Sequence, residues 1–180
     1  MIYVFLAPGF EETEALATVD ILRRAGDNVA TVGVMDNVIK GAHGIRVVTD
    51  VTMQDVQGTH PDVIVLPGGM PGTLHLEHCQ WLAEMIREAY RDGKLIAAIC
   101  AAPSILGHMG LLTNRKATCF PGFEGELLGA EVVPQQVCRD GQFITANGPG
   151  AAMAFGLEIV RALHGDAAAR KIGEAMQYVS

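Results

Sequence analysis

Cys100 is the residue in this sequence best placed to do chemistry. It lies in Lys94–Leu106, which reads KLIAAICAAPSIL. Leu95 to Ile99 form an unbroken apolar run, the pattern of a strand buried on both faces of a parallel sheet. Ala101 and Ala102 follow, and Pro103 suits the first turn of a new helix. Cys100 therefore falls where a strand's carboxyl end meets a helix's amino end, and open α/β sheets bind ligands at that end of their strands. Backbone N–H groups there favour an anion, and a thiolate is an anion. Free cysteine is also among the most buried residue types. The segment by itself leaves both a reactive and a packing role open.

Other candidates have plainer explanations. The loop Pro67–Gly72, PGGMPG, follows a strand and precedes a helix, but it lacks both the G-x-G-x-x-G spacing and the Gly-Lys-Ser/Thr ending of phosphate loops. Gly68 and Gly69 either let backbone approach a neighbouring site closely, offering N–H groups to an oxyanion, or supply the positive φ of a tight turn. Glu11, Glu12 and Glu14 suit the macrodipole at the start of a helix. His75, His78 and Cys79 have i, i+3, i+4 spacing, yet without further ligands they read as an ordinary helix start. His60, His108 and His164 stand beside Pro or Gly at element ends, and Cys119 and Cys138 read as packing residues in short strands. No Ser has the G-x-S-x-G setting.

These residues are positioned by alternating strands and helices. Strands are expected at Ile2–Ala7, Asn28–Val34, Asp62–Leu66 and the Cys100 segment, with shorter ones near Val38–Lys40, Ile45–Val48, Ala117–Cys119, Val132–Val133, Gln136–Cys138 and Phe143–Ala146. Asp140-Gly141 is a hairpin signal. Helices are expected after Glu11, across Leu74–Tyr90, after Pro103, across Ala151–Leu163 and from Asp166, which can cap the last of them; a further piece at Glu124–Leu128 reads as helical. The order predicts a single α/β domain over 1–180: a flavodoxin-like three-layer sandwich, mostly parallel sheet with helices on both faces. The chain has 180 residues, 49% of them hydrophobic, and a net charge of −7, with no cluster of Lys or Arg. Disorder and a nucleic-acid surface are therefore not expected. No apolar run is long enough for a membrane span, and MIYVFLAPGF reads as a first strand and not a signal peptide. Four cysteines without metal-ligand spacing suit a reduced, cytoplasmic setting.

Six segments together resemble the DJ-one/ThiJ/PfpI superfamily, closest to the branch of the Parkinson-disease protein deglycase and the bacterial YajL-type proteins. They are LAPGFEETEA (6–15), DILRRAG (20–26), DVIVLPGG (62–69), LIAAICAAP (95–103), KATCFPGFE (116–124) and NGPGAAMAF (147–155). The resemblance implies that Cys100 is the nucleophile on a strained strand-to-helix turn, a nucleophile elbow. Glu14, and not Glu11 or Glu12, corresponds to the glutamate bonded to that sulfur. Gly69 and Ala101 would supply the backbone N–H groups. It implies a homodimer, with the first helix and its RRAG end at or near the interface. Two positions depart from the pattern. Phe120 stands where many members carry a His, as Tyr or Phe often does in the bacterial branch, and His43 stands where the human relative has an arginine near the pocket.

The expected function is a cofactor-independent and metal-free glyoxalase or deglycase. It would act on small reactive carbonyls such as methylglyoxal or their adducts, with Cys100 as nucleophile and Glu14 as proton shuttle. The alternative is a redox-sensing stress protein or chaperone that works through oxidation of Cys100. An intracellular protease is the least favoured reading, because Phe120 removes the histidine a Cys-His pair needs.

Overall fold

Apolar strands and amphipathic helices alternate along the chain as their sequence patterns require. The structure, a computed structural model, describes residues 1–178. In order it contains β1 (Ile2–Leu6), α1 (Glu12–Arg24), β2 (Val29–Gly33), β3 (Val38–Lys40), β4 (Arg46–Val48), β5 (Val51–Thr52), β6 (Val63–Leu66), α2 (Gly72–Glu77), α3 (Gln80–Arg91), β7 (Leu95–Ile99) and α4 (Pro103–His108). There follow β8 (Lys116–Ala117), β9 (Glu131–Val132), β10 (Val137–Asp140), β11 (Phe143–Ala146), α5 (Ala152–His164) and α6 (Asp166–Ala175). The central sheet has seven strands in the order β10-β11-β7-β6-β1-β2-β5. All neighbours run parallel except β10 and β11, which form the hairpin turned at Asp140-Gly141.

Successive side chains of a strand point to opposite faces, and both faces here are covered. That is why β1, β6 and β7 are apolar throughout. Ile2, Val4, Leu6, Val65 and Ile99 meet α1 and α5 on one side, while Phe5, Ile64, Leu66, Ile96 and Ala98 meet α3 and α4 on the other. Gly156 brings α5 close to α1, since a Cβ there would lie 2.7 Å from Ile21 Cδ1. The result is the flavodoxin-like three-layer arrangement, with β6 and β7 delivering their carboxyl ends to one rim.

Four local readings are corrected. The single helix expected over Leu74–Tyr90 is two, broken where Cys79 becomes extended at φ −79°, ψ 102°. Leu76 and Leu82 are both buried, and on one unbroken helix they would point about 120° apart; the break turns both inward. Asp166 does not cap α6. Gly165 holds that position with no side-chain bond, and Asp166 Oδ1 accepts from Arg161 Nε at 2.7 Å. The edge strand β5 is also unanticipated, because it is defined by pairing with β2, Val51 beside Val32 and Thr52 beside Gly33. The helical piece expected at Glu124–Leu128 is one tight turn, Glu124–Glu126.

Candidate active site

The Cys100 backbone is held in a conformation that L-residues avoid. Its φ is 65°, a left-handed geometry that costs a non-glycine residue roughly 1–2 kcal/mol. Neighbouring strand ends fix it there: Cys100 N–H donates to Ala146 O at 2.8 Å, and Cys100 O accepts from Phe120 N–H at 2.8 Å. Pro103 then starts α4, with Ser104 Oγ donating to Ala101 O at 2.7 Å. This sharp turn aims the sulfur off the end of β7.

Glu14 approaches from α1 and is fully buried. Its Oε2 accepts from the Gly68 N–H at 2.7 Å. Its Oε1 is buried without a hydrogen bond of ordinary geometry, and the Cys100 thiol is the titratable partner of the carboxyl. Gly68 and Gly69 prove to serve different needs. A Cβ on Gly68 would come 2.6 Å from Cys100 Cβ and 2.9 Å from Glu14 Oε2, so position 68 requires glycine for space. Gly69 has φ 90° and would also press a Cβ to 2.4 Å from Glu11 N, so it needs both the conformation and the space. Glu11 N–H donates to Gly68 O at 2.9 Å, locking the two loops together.

Burial dominates the electrostatics of this pair. It raises the Glu14 carboxyl to about 7, against the opposing pull of the Gly68 N–H and the Cys100 contact. Burial also pushes the Cys100 thiol up to about 12, reinforced by the Glu14 charge, while the Ala101 and Gly69 N–H groups pull it down. The helix start and its N–H groups therefore do not free a thiolate on their own. Between those two values the pair holds one proton, and placing it on Glu14 removes the charge that opposes the thiolate.

A cleft of about 490 Å³ opens over the sulfur. Cys100, Ala101 and Gly69 lie at its base, Met70, Phe120, Phe123 and Pro149 form apolar walls, and Glu11 and His43 stand at the rim. His43 meets Glu12 and not the sulfur: its Nδ1 lies 3.0 Å from Glu12 Oε2 and 3.4 Å from Glu11 Oε2. Its backbone N–H donates to Glu12 Oε1 at 2.9 Å. Burial alone would raise Glu12, but backbone N–H groups and His43 outweigh it and hold the carboxyl below its usual range. The hydrogen bond to Glu12, then the charges of Glu11 and Glu12, raise His43. Sequence reasoning missed Glu12, whose macrodipole explanation does not require burial. Its partners His43 and Ile45 lie far along the chain in the turn of the β3–β4 hairpin, with no local signal.

The remaining candidates do not join the site. His75 Nδ1 lies 2.8 Å from Pro8 O, and the helix break separates it from Cys79. Among the described residues, Glu11, Glu12 and His43 are the group that could hold a metal ion. Cys119 and Cys138 are buried, and burial pushes the Cys119 thiol up to about 11. A larger groove of about 620 Å³ between α5 and α6, lined by Arg161, Asp166 and Arg170, contains no cysteine. Among the described residues no helix is long and apolar enough to cross a membrane.

The chain is 40% identical over 163 residues to "Protein DJ-1 homolog B" of Arabidopsis thaliana, covering 89% of this chain and 37% of that protein. It thus spans under half the length of its plant relatives, 45% of a second one. It is 36% identical over 157 residues to "Glutathione-independent glyoxalase DJR-1.2" of Caenorhabditis elegans, covering 86% of this chain and 83% of that one. The solved structure of oxidized Toxoplasma gondii DJ-1 superposes with a TM-score of 0.96 at 33% identity, over 99% of this chain and 98% of the other. Residues 1–162 match the DJ-1/PfpI family. An agreement that runs through both sequence and backbone leaves one conclusion: the chain belongs to the DJ-1/PfpI family.

Proposed function

We propose that this protein is a cysteine-dependent glyoxalase or deglycase that needs no cofactor and acts on small 2-oxoaldehydes or their adducts. The observation that carries the reading is the buried Glu14 carboxyl, raised to about 7, sharing a proton with Cys100 beneath an open cleft. A group poised near neutrality can both take and give a proton at working pH.

In the proposed reaction the sulfur attacks the aldehyde carbon of methylglyoxal. The C=O π pair moves to oxygen, which is held by the Gly69 and Ala101 N–H groups and takes the proton, giving a hemithioacetal. Glu14 then removes the hydrogen of that carbon as a proton. The C–H pair forms the C=C bond of an enediolate as the ketone π pair moves to its oxygen. The proton is returned to the adjacent carbon, and the hydroxyl proton on the sulfur-bearing carbon passes to the former ketone oxygen. The ketone becomes an alcohol and the sulfur-bearing carbon a thioester. Water cleaves the thioester, releasing lactate and the thiol. The sum is methylglyoxal plus water giving lactate, with no external oxidant. The relative named as a glutathione-independent glyoxalase supports the assignment.

Methylglyoxal consumption and lactate formation test it, with wild type beside Cys100→Ser. Cysteine-dependent lactate supports the reading; no turnover by the wild type sinks it. The second reading, oxidation of Cys100 as a stress signal, draws on the oxidized Toxoplasma relative and on the same N–H groups, which would hold a sulfinate. Intact mass after mild peroxide separates the two, since oxidation spread evenly over the four cysteines argues against a sensor. A homodimer in the cytoplasm completes the proposal. Val38 and Val48, exposed and paired across the β3–β4 hairpin, and the exposed Leu16 on α1 are apolar side chains such a contact could cover, and sedimentation of a monomer at micromolar concentration would count against it.

A further inference from the structure

The cleft over Cys100 is far larger than a three-carbon aldehyde. Its volume of about 490 Å³ falls in the range of roughly 300–1,000 Å³ typical of sites for drug-sized ligands. Its walls are apolar and wet: the Phe120 side chain is 42% exposed and Met70 47% exposed, and Phe123 and Pro149 continue the same surface. Phe120 is also seated. A Cβ on Gly148 would lie 3.1 Å from Phe120 Cδ2, so the ring rests against backbone and offers a fixed flat face. Its backbone N–H donates to Cys100 O at 2.8 Å, which ties the Phe120 backbone to the Cys100 turn. A planar apolar group on the substrate would cover this surface without first having to order it.

The rim has the opposite character. Glu11 stands there with His43, and the buried Glu12 lies behind them against the imidazole; two carboxylates against one imidazole leave this side of the entrance with an excess of negative charge. A substrate bearing its own carboxylate would be repelled there.

Resting on the glyoxalase reading, we propose that the preferred substrates are uncharged 2-oxoaldehydes with a ring-sized apolar substituent, which stacks on Phe120 while the aldehyde carbon faces Cys100. Phe120 is then a specificity-determining residue, an apolar platform in the place where a histidine base is common.

The test compares kcat/KM for phenylglyoxal, methylglyoxal and glyoxylate in wild type and Phe120→Ala, and follows binding of acetophenone and of acetone to Cys100→Ser by NMR titration. The expected result is a preference for phenylglyoxal over methylglyoxal of roughly tenfold, the size a well-packed apolar contact provides. Glyoxylate should be the poorest of the three, and the aryl preference should collapse in Phe120→Ala. Equal kcat/KM for the two ketoaldehydes, or a ratio unchanged in Phe120→Ala, overturns the inference while leaving the glyoxalase reading intact. No turnover of any aldehyde, with acetophenone still binding in preference to acetone and that preference lost on adding Phe120→Ala, defeats the glyoxalase reading and upholds the ligand class. Neither turnover nor selective binding defeats both.

Discussion

Gly68 lies against Cys100 so closely that a Cβ at position 68 would sit 2.6 Å from the cysteine's own Cβ. The other atoms in its way are Glu14 Oε2 at 2.9 Å and Ile99 O at 2.9 Å. Gly68→Ala cannot be absorbed by a flexible side-chain tip, because these groups are the Cys100 Cβ, the buried Glu14 carboxyl and sheet backbone. We expect a loss of about 1–3 kcal/mol, as for other overpacked cores, together with loss of Cys100 reactivity. Thermal denaturation and thiol-alkylation rates measure the two effects. A variant with unchanged Tm and unchanged alkylation would show that the contact is looser than described.

Glu14→Gln should lower turnover by roughly a hundredfold or more, the size expected for a lost acid–base group. It should also move the high-pH thiol step of Cys100 down from about 12, since the charge of Glu14 is one of the forces holding it up. Thiolate absorbance followed against pH reports the second effect independently of any substrate. Full activity in Glu14→Gln would remove the residue from the mechanism.

The same carboxyl makes stability depend on pH in an unusual direction. Its ordinary value is 4.5 and burial raises it to about 7, so between these values the folded state binds more protons than the unfolded one. Stability therefore falls as pH rises through this window. The full effect is roughly 3 kcal/mol relative to a residue that does not titrate. Denaturation of wild type and Glu14→Gln at pH 4.5 and pH 7.5 should show the wild type losing ground to the variant at the higher pH. A constant difference would contradict the assignment.

His108 provides a second pH response, outside the cleft. Its Nδ1 bonds to Glu77 and its Nε2 to Glu126 at 2.8 Å, which joins α4, α2 and the turn at Glu124–Glu126. The bonds to Glu77 and then Glu126 raise its pKa above 6.5. The stabilisation is thus complete below about 6.5 and lost as pH rises through the folded value. Because the groups are partly exposed, the contribution should stay under about 1 kcal/mol. His108→Gln should lower Tm more at pH 5 than at pH 9, and the reverse order would refute the clamp.

The sequence alone was enough to place Cys100 at the joint of β7 and α4, because an apolar run, two small residues and Pro103 are local signals with local causes. The same holds for where the central strands fall along the chain, since their unbroken hydrophobicity follows from burial on both faces. It was not enough to separate Glu11, Glu12 and Glu14 by their residue types, since all three suit a helix start and only the family resemblance singled out Glu14. Tertiary structure separates them through partners remote in sequence. Glu14 turns inward to Gly68, 54 positions away, and Glu12 is claimed by His43, 31 positions away. The different needs of Gly68 and Gly69, the break at Cys79 and the two-residue strand β5 are likewise decided between segments. Each depends on which backbone comes within a few ångströms of another, and no periodicity within a segment encodes that distance.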